Sequence, residues 1–192
     1  MSAAHGGPGE GERFQQDAAP HDLAVLFVCL GNHCRSPAAH AVAETLSAAV
    51  PNVLFDSAGT SRAHVGDLPH PLSAAEGRAR GHLVNHCGRQ ISPDDFARFD
   101  LIIAMDDMNT SDLLRMSGRS DQRRGRIRDL EPNQIQLLRR WDPYCRPGDL
   151  QLVDPWGGGR DAYVEMYDVI ERCMNPLIDH LAELAQRVTQ LR

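Results

Sequence analysis

The sequence predicts an α/β fold: a single domain on a four-stranded parallel sheet, flanked by helices on both faces. Three observations predict it. Short apolar runs of strand length alternate with stretches of helical period. The first run ends in a polar, glycine-containing turn that leads straight into a helix start. The last thirty residues carry a long amphipathic repeat that can cover one face of a sheet.

The elements follow in chain order. Met1 to His21 is rich in Gly, Ala, Glu and Pro and nearly free of large apolar residues, so residues 1–21 are expected to be a disordered tail and residues 22–192 the folded domain. Val25-Leu26-Phe27-Val28 reads as a strand buried on both faces. Ser36 suits an N-cap and Pro37 the first helical position, giving a helix from Pro37 to about Val50. Asn52 to Asp56 is the second strand, running into a turn at Ser57-Ala58-Gly59-Thr60. A weak helix from Ser73 to Arg80 is broken by Gly77 and Gly81. Asp100 to Met105 is the third strand, followed by a short helix near Asn109 to Arg115 and an arginine-rich surface loop from Ser117 to Arg128. Ile135 to Trp141 is the fourth strand. From Tyr163, apolar residues at Tyr167, Ile170, Met174, Leu177, Leu181, Leu184 and Val188 define the last helix, which Pro176 should kink or interrupt.

Composition narrows the function classes. The 192 residues suffice for one core, and 42% hydrophobic with 24% charged residues is ordinary for a soluble protein. The net charge of −6 argues against a nucleic-acid partner. No apolar run reaches membrane-spanning length and no signal peptide opens the chain, so no membrane partner is expected. Five cysteines, an odd number, point to a reducing cytoplasm rather than a disulfide framework. All 20 basic residues are arginine, which suggests a GC-rich coding sequence and a bacterial source.

The chemistry concentrates in Cys29-Leu30-Gly31-Asn32-His33-Cys34-Arg35-Ser36, between the first strand and the first helix. A thiol sits where a strand ends and a guanidinium where a helix begins. The backbone N–H groups between them can turn inward around an anion, with the helix N-terminus adding positive potential. That makes a phosphate-binding loop after the first strand. The same groups favour a thiolate at Cys29, a nucleophile aimed at phosphorus. Arg35 can grip two phosphate oxygens, and Ser36 can donate a hydrogen bond to the thiolate. A buried strand-end cysteine beside a solvated arginine is the plain alternative; strand, glycine, cap and proline together argue against it. A nucleotide P-loop is excluded, because it needs a lysine and the chain has none. A zinc site from Cys29, His33 and Cys34 lacks a second ligand pair, so no metal and no other cofactor is expected.

Thiolate attack on a phosphate ester also needs a proton donor for the leaving oxygen. Two Asp-Pro-aromatic segments compete, Asp142-Pro143-Tyr144 and Asp154-Pro155-Trp156. Either can simply start a turn. Only the second is followed by three glycines, Gly157 to Gly159, and then directly by the last helix. Trp156 could wall the cleft against a substrate ring.

Val28-Cys29-Leu30-Gly31-Asn32-His33-Cys34-Arg35-Ser36-Pro37 resembles the signature of the low-molecular-weight protein tyrosine phosphatases, and later segments match from about Leu23 to Leu184. The resemblance implies a four-stranded parallel sheet. It implies hydrolysis of phosphotyrosine in protein substrates through a phosphocysteine at Cys29, with Arg35 binding phosphate and Asp154 as general acid and base. It gives Asn32 the partners Ser57 and His86 in support of the loop. It gives Cys34 the task of trapping an oxidised Cys29 as a disulfide. Ala63 stands where many members carry an aromatic wall residue, with His64 next to it, and Gly157 replaces a second aromatic after Trp156. His33 occupies a variable loop position that faces substrate in the family. A thiol-dependent arsenate reductase of the same fold is the second reading; it needs further cysteines on a movable segment, and Cys87 has no neighbouring partner while Cys145 and Cys173 are distant in sequence. A non-catalytic phosphotyrosine-binding module is the third, and intact Cys29, Arg35 and Asp154 argue against it.

Overall fold

The computed structural model describes residues 21–117 and 133–190. The expected tail, apart from His21, and the Arg-rich loop beyond Ser117 lie outside the described residues. Four strands, β1 (Leu23–Cys29), β2 (Val53–Gly59), β3 (Leu101–Ala104) and β4 (Ile135–Leu137), form one sheet in the order β2-β1-β3-β4. All three pairings are parallel, with Leu23 opposite Val53, Val25 opposite Leu101 and Ile102 opposite Ile135.

Every residue of β1 is buried because both faces are covered. Val25, Phe27 and Cys29 face a core shared with helices α1 (Arg35–Leu46) and α5 (Arg160–Gln190). Ala24, Leu26 and Val28 face the opposite core, built with Phe96 of α3 (Asp95–Arg98) and Leu113 of α4 (Asp107–Met116). The two-residue alternation along β1 therefore sorts side chains into two separate cores. Helix α2 (Pro71–Ala79) packs on the α1/α5 side. The chain runs from β1 to β2 on one side and returns to β3 on the other. This switch of direction opens a crevice at the carboxyl end of β1, the place where open α/β sheets bind ligands.

Several boundaries differ from the sequence reading. Ser36 does not cap α1: the helix begins at Arg35 with Cys34 in the cap position and no side-chain cap, and Pro37 falls within the first turn. The α-helix also ends at Leu46, with a 3-10 turn at Ser47–Ala49 in place of its last residues. Strand β2 continues through Ser57-Ala58-Gly59, which the sequence suggested as a turn. Gly77 does not break α2. A Cβ there would stand 2.5 Å from the Tyr167 hydroxyl and 2.7 Å from Val84, so the glycine is what lets α2 approach α5. Strand β4 is three residues long, and Leu138–Trp141 is a 3-10 turn that drives Leu138, fully buried, into the α1/α5 core. The single turn α3 was not anticipated.

Pro176 does not interrupt α5. A proline inside a helix costs about 3 kcal/mol. Cys173, Met174, Leu177 and Ile178 around it are all buried, and each fully buried apolar side chain contributes about 1.5–3 kcal/mol. Packing on both sides of the proline outweighs its penalty.

Asp142 locks α5 to the end of the 3-10 turn. Its carboxylate is fully buried and accepts hydrogen bonds from Arg172 at 2.7 and 2.8 Å and from Arg139 at 3.2 Å. The Arg172 bonds hold its pKa down at about 2 against the cost of burial. An aspartate depressed in the folded state stabilises above its unfolded pKa and loses that contribution as pH falls through the folded value. Asp142→Asn should cost about 3 kcal/mol at neutral pH, the usual penalty for breaking a buried pair. Denaturant melts should show the difference between variant and wild type shrinking from about pH 4 to about pH 2; a constant difference would remove the ion pair as its source.

Candidate active site

Cys29 is the last residue of β1 and 3% exposed. The parallel ladder to β2 extends past the strand end: Thr60 N–H donates to the Cys29 carbonyl at 2.9 Å and Ser61 N–H to the Leu30 carbonyl at 2.8 Å. The chain then curls over Gly59, where a Cβ would lie 2.8 Å from the Leu30 oxygen and 2.9 Å from the Asn32 nitrogen. Only a glycine lets the loop lie so close to β2.

Asn32 makes the turn. It has φ of 52°, the one described non-glycine residue in the left-handed region. Its side chain secures that strained backbone at three points. The amide donates to Ser36 Oγ at 3.0 Å and to Ser57 Oγ at 2.9 Å, and the side-chain carbonyl accepts Arg89 N–H at 2.9 Å. Ser57 Oγ lies 2.8 Å from His86 Nε2. Burial, followed by the nearby His40, pushes the His86 pKa down to about 4, so the ring is neutral and its Nε2 can accept the Ser57 proton. Because Ser36 Oγ accepts from Asn32, its own proton is free for Cys29 Sγ at 3.1 Å or the Ala58 carbonyl at 3.2 Å. The side chain that seemed a helix cap is instead turned onto the sulfur.

Arg35 opens α1 with a guanidinium only 3% exposed. One terminal nitrogen donates to Asp106 Oδ2 at 2.6 Å and to the Leu152 carbonyl at 3.1 Å; the other donates to Asp154 Oδ2 at 2.5 Å. Burial opposes the charge, but Cys29, Asp154 and Asp106 more than offset it and raise the pKa above the ordinary arginine value. Arg35 Nε is buried without a hydrogen-bond partner and remains available as a donor.

Cys29, Leu30, Gly31, His33, Cys34, Arg35, Ser61, Ala63, His64, Asp154 and Trp156 line a cavity of about 490 Å³. His33 and His64 stack in parallel on its wall, with ring centroids 4.0 Å apart. Trp156 leans on both at 5.6 and 5.3 Å. Cys34 lies inside, with its sulfur 3.8 Å from the Tyr163 hydroxyl of α5, and burial raises its pKa to about 12. Asp142 is not in this cavity.

Known proteins share this fold and are similar in sequence. Residues 24–189 match the family model described as low molecular weight phosphotyrosine protein phosphatase. The chain is 35% identical over 165 residues to the phosphatase of that name from Gallus gallus, covering 84% of this chain and 98% of that one. It is 33% identical over 162 residues to the low molecular weight protein-tyrosine-phosphatase of Streptomyces coelicolor, covering 83% and 93%. The chain belongs to the low molecular weight phosphotyrosine protein phosphatase family. Among solved structures it resembles a protein tyrosine phosphatase from Entamoeba histolytica, with TM-score 0.71, 30% identity and coverage of 84% and 97%. It also resembles an arginine phosphatase from Drosophila, with TM-score 0.69, 32% identity and coverage of 81% and 96%.

Sequence reasoning missed Asp106, the second carboxylate on Arg35. The family fold puts it at the carboxyl end of β3, where it also caps α4 by accepting Asn109 N–H at 2.7 Å. The signal was present: an aspartate between a buried strand and a helix, at the same end of the sheet as Cys29. His70 and Tyr163, which stack at 4.9 Å behind the cavity, had no such signal, because 93 residues separate them in the chain.

A histidine depressed to about 4 in the folded state binds fewer protons than it does unfolded, where its pKa is about 6.5. Its contribution to stability is full above about pH 6.5 and is lost as pH falls toward about 4. His86→Gln should therefore flatten the rise in stability over that window, read by urea unfolding at several pH values. Identical slopes in the two proteins would show that His86 does not carry it.

Proposed function

We propose that the protein is a protein tyrosine phosphatase that hydrolyses phosphotyrosine in protein substrates, and aryl phosphates generally, through a phosphocysteine at Cys29. The observation that carries this reading is the convergence of Cys29, Arg35 and Asp154 on one cavity, with the guanidinium held 2.5 Å from the Asp154 carboxylate.

The phosphate occupies the loop from Leu30 through Gly31, Asn32, His33, Cys34 and Arg35 to Ser36, with Arg35 binding its oxygens. Asp106 and the Leu152 carbonyl hold one edge of the guanidinium, which leaves Nε free to donate to an oxygen. The Cys29 sulfur attacks phosphorus, the P–O bond to the aryl oxygen breaks, and Asp154 gives its proton to that oxygen. Water then attacks the phosphocysteine, Asp154 takes the proton, and the S–P bond breaks to release phosphate. Ser36 donates to the departing sulfur. His64, Ala63 and Trp156 wall the entrance, with the His64 ring next to the small Ala63.

The placement of the cysteines favours this over arsenate reduction. Cys173 is fully buried in α5. Cys87 is exposed, but its neighbour Gly88 is pinned beneath the His64 carbonyl and donates to Asp67, so it is not on a free segment.

Cys29→Ser should abolish turnover of aryl phosphates while still binding phosphate analogues. Asp154→Asn should lower turnover of a poor leaving group by about 100- to 10,000-fold, and much less for a leaving group that departs unprotonated. Asp142→Asn, judged at a temperature where it is folded, should turn over nearly normally. A crippled Asp142→Asn beside a mild Asp154→Asn would show the acid misassigned. Phosphotyrosine and phosphoarginine peptides assayed side by side settle the substrate class, with phosphotyrosine expected to be preferred.

Cys34 shares the cavity with Cys29, and we assign it the trap for an oxidised nucleophile: the Cys29 sulfenic acid formed by peroxide condenses with the Cys34 thiol, giving a disulfide and water. Thiol treatment after peroxide should restore wild-type activity and recover clearly less in Cys34→Ser. Equal recovery would remove the assignment.

A further inference from the structure

Three imidazoles from three segments cluster around Trp156, and two of them, His33 and His64, line the cavity. His33 belongs to the phosphate loop, His64 to the loop after β2, and His70 to the cap of α2. His33 lies 4.0 Å from His64 and 5.4 Å from His70, and Trp156 touches all three rings.

They are electrostatically unequal. His70 Nδ1 accepts the Leu72 N–H as the cap of α2, so protonating that nitrogen would break the cap. The pKa of His33 is pushed down by burial and by His64 and His70. His64 alone among the three has a carboxylate partner: its Nδ1 is 3.0 Å from Asp67 Oδ2. That carboxylate is placed to hold the Nδ1–H of His64.

The position of that ring matters. A Cβ on Gly31 would lie 2.8 Å from His64 Cδ2, the atom beside Nε2. The imidazole thus packs against Gly31 of the phosphate loop while lining the cavity. The loop 64–67 is fixed there by hydrogen bonds of 2.8 Å from Gly66 to Gly88 and from Gly88 to Asp67.

The charge balance of the site calls for such a group. Arg35 is the cation buried beneath the cavity, and it already faces two carboxylates, Asp106 and Asp154. An incoming dianion brings more negative charge than this guanidinium can offset. Asp154 can take one proton as the general acid. Besides Asp67, the titratable and charged groups that line the cavity with His64 are Cys29, His33, Cys34, Arg35 and Asp154, with His70 packed against His33 and Trp156.

We propose that His64, held by Asp67, is a second cationic contact for the phosphate group, taking up a proton when a tetrahedral dianion enters the Cys29–Arg35 cavity. This rests on the phosphatase reading and names a specificity residue for dianionic monoesters. Asp67 is a positioning residue that acts through His64.

The test uses the full chain in a Cys29→Ser background, so the nucleophile contributes no titration, and sulfate as the probe, because it stays a dianion at every pH used. Calorimetry in buffers of different ionisation enthalpy should show proton uptake on binding, and binding about five- to tenfold tighter near pH 6 than near pH 8, the scale of one partly screened charge pair. His64→Gln should reduce that ratio to about twofold or less. Asp67→Asn, which keeps the ring, should give a smaller ratio than the parent. With Cys29 intact, His64→Gln should raise KM for phenyl phosphate near pH 6 and leave kcat nearly unchanged. Undiminished proton uptake and pH dependence in His64→Gln would overturn this inference while leaving the phosphatase reading in place. A parent protein that binds sulfate at no pH would overturn both.

Discussion

The buried charge of Arg35 is the constraint on which the rest of the site depends. A guanidinium removed from water is tolerated only with partners that replace its hydration. Here the partners come from separate parts of the chain: Asp106 from the end of β3, the Leu152 carbonyl and Asp154 from the segment before α5. Each sits at the carboxyl end of the sheet. The order β2-β1-β3-β4 brings the end of β3 directly beside the end of β1, which is where Asp106 is needed. The fold and the site thus share one requirement, and a change that moved β3 relative to β1 would leave the arginine without its first counter-charge.

A second constraint is the left-handed turn at Asn32. Its side chain draws on Ser36 of α1, Ser57 of β2 and the Arg89 backbone, and through Ser57 on His86. Arg89 is itself bound to Asp56 at 2.8 Å and Asp95 at 3.0 Å. A strained loop is thereby fastened to β2 and α3 as well as to its own helix. This explains why so many small polar residues lie beneath the surface in a region otherwise given to apolar packing.

Much of this was legible in the sequence, for identifiable reasons. The four strands, their parallel arrangement and the loop after β1 could be read because buried parallel strands are continuous apolar runs, and because the Cys-x5-Arg spacing spans one turn. Helix caps and strand ends were read less well. Ser36 has the composition of a cap, but its hydroxyl is drawn to Cys29, a competition that spacing cannot reveal. Gly77 reads as a breaker until the hydroxyl of Tyr167, 90 residues away, is placed against it. Pro176 reads as a stop until the burial around it is counted. The imidazole cluster depends on residues 33, 64 and 70 meeting Trp156, which no local pattern encodes.

The two walls of the cavity are built to different mechanical standards. The His64 side is tied by paired backbone hydrogen bonds between residues 66, 67 and 88, over a glycine that leaves no slack. On the Trp156 side the indole is 58% exposed, and it is followed by three glycines, of which Gly157 has φ of 79°. The cleft is a vice with one fixed jaw and one hinged jaw. Its bore is gauged by the stacked imidazoles, while the exposed indole and its glycines can yield, so precision and tolerance belong to opposite sides of the same opening.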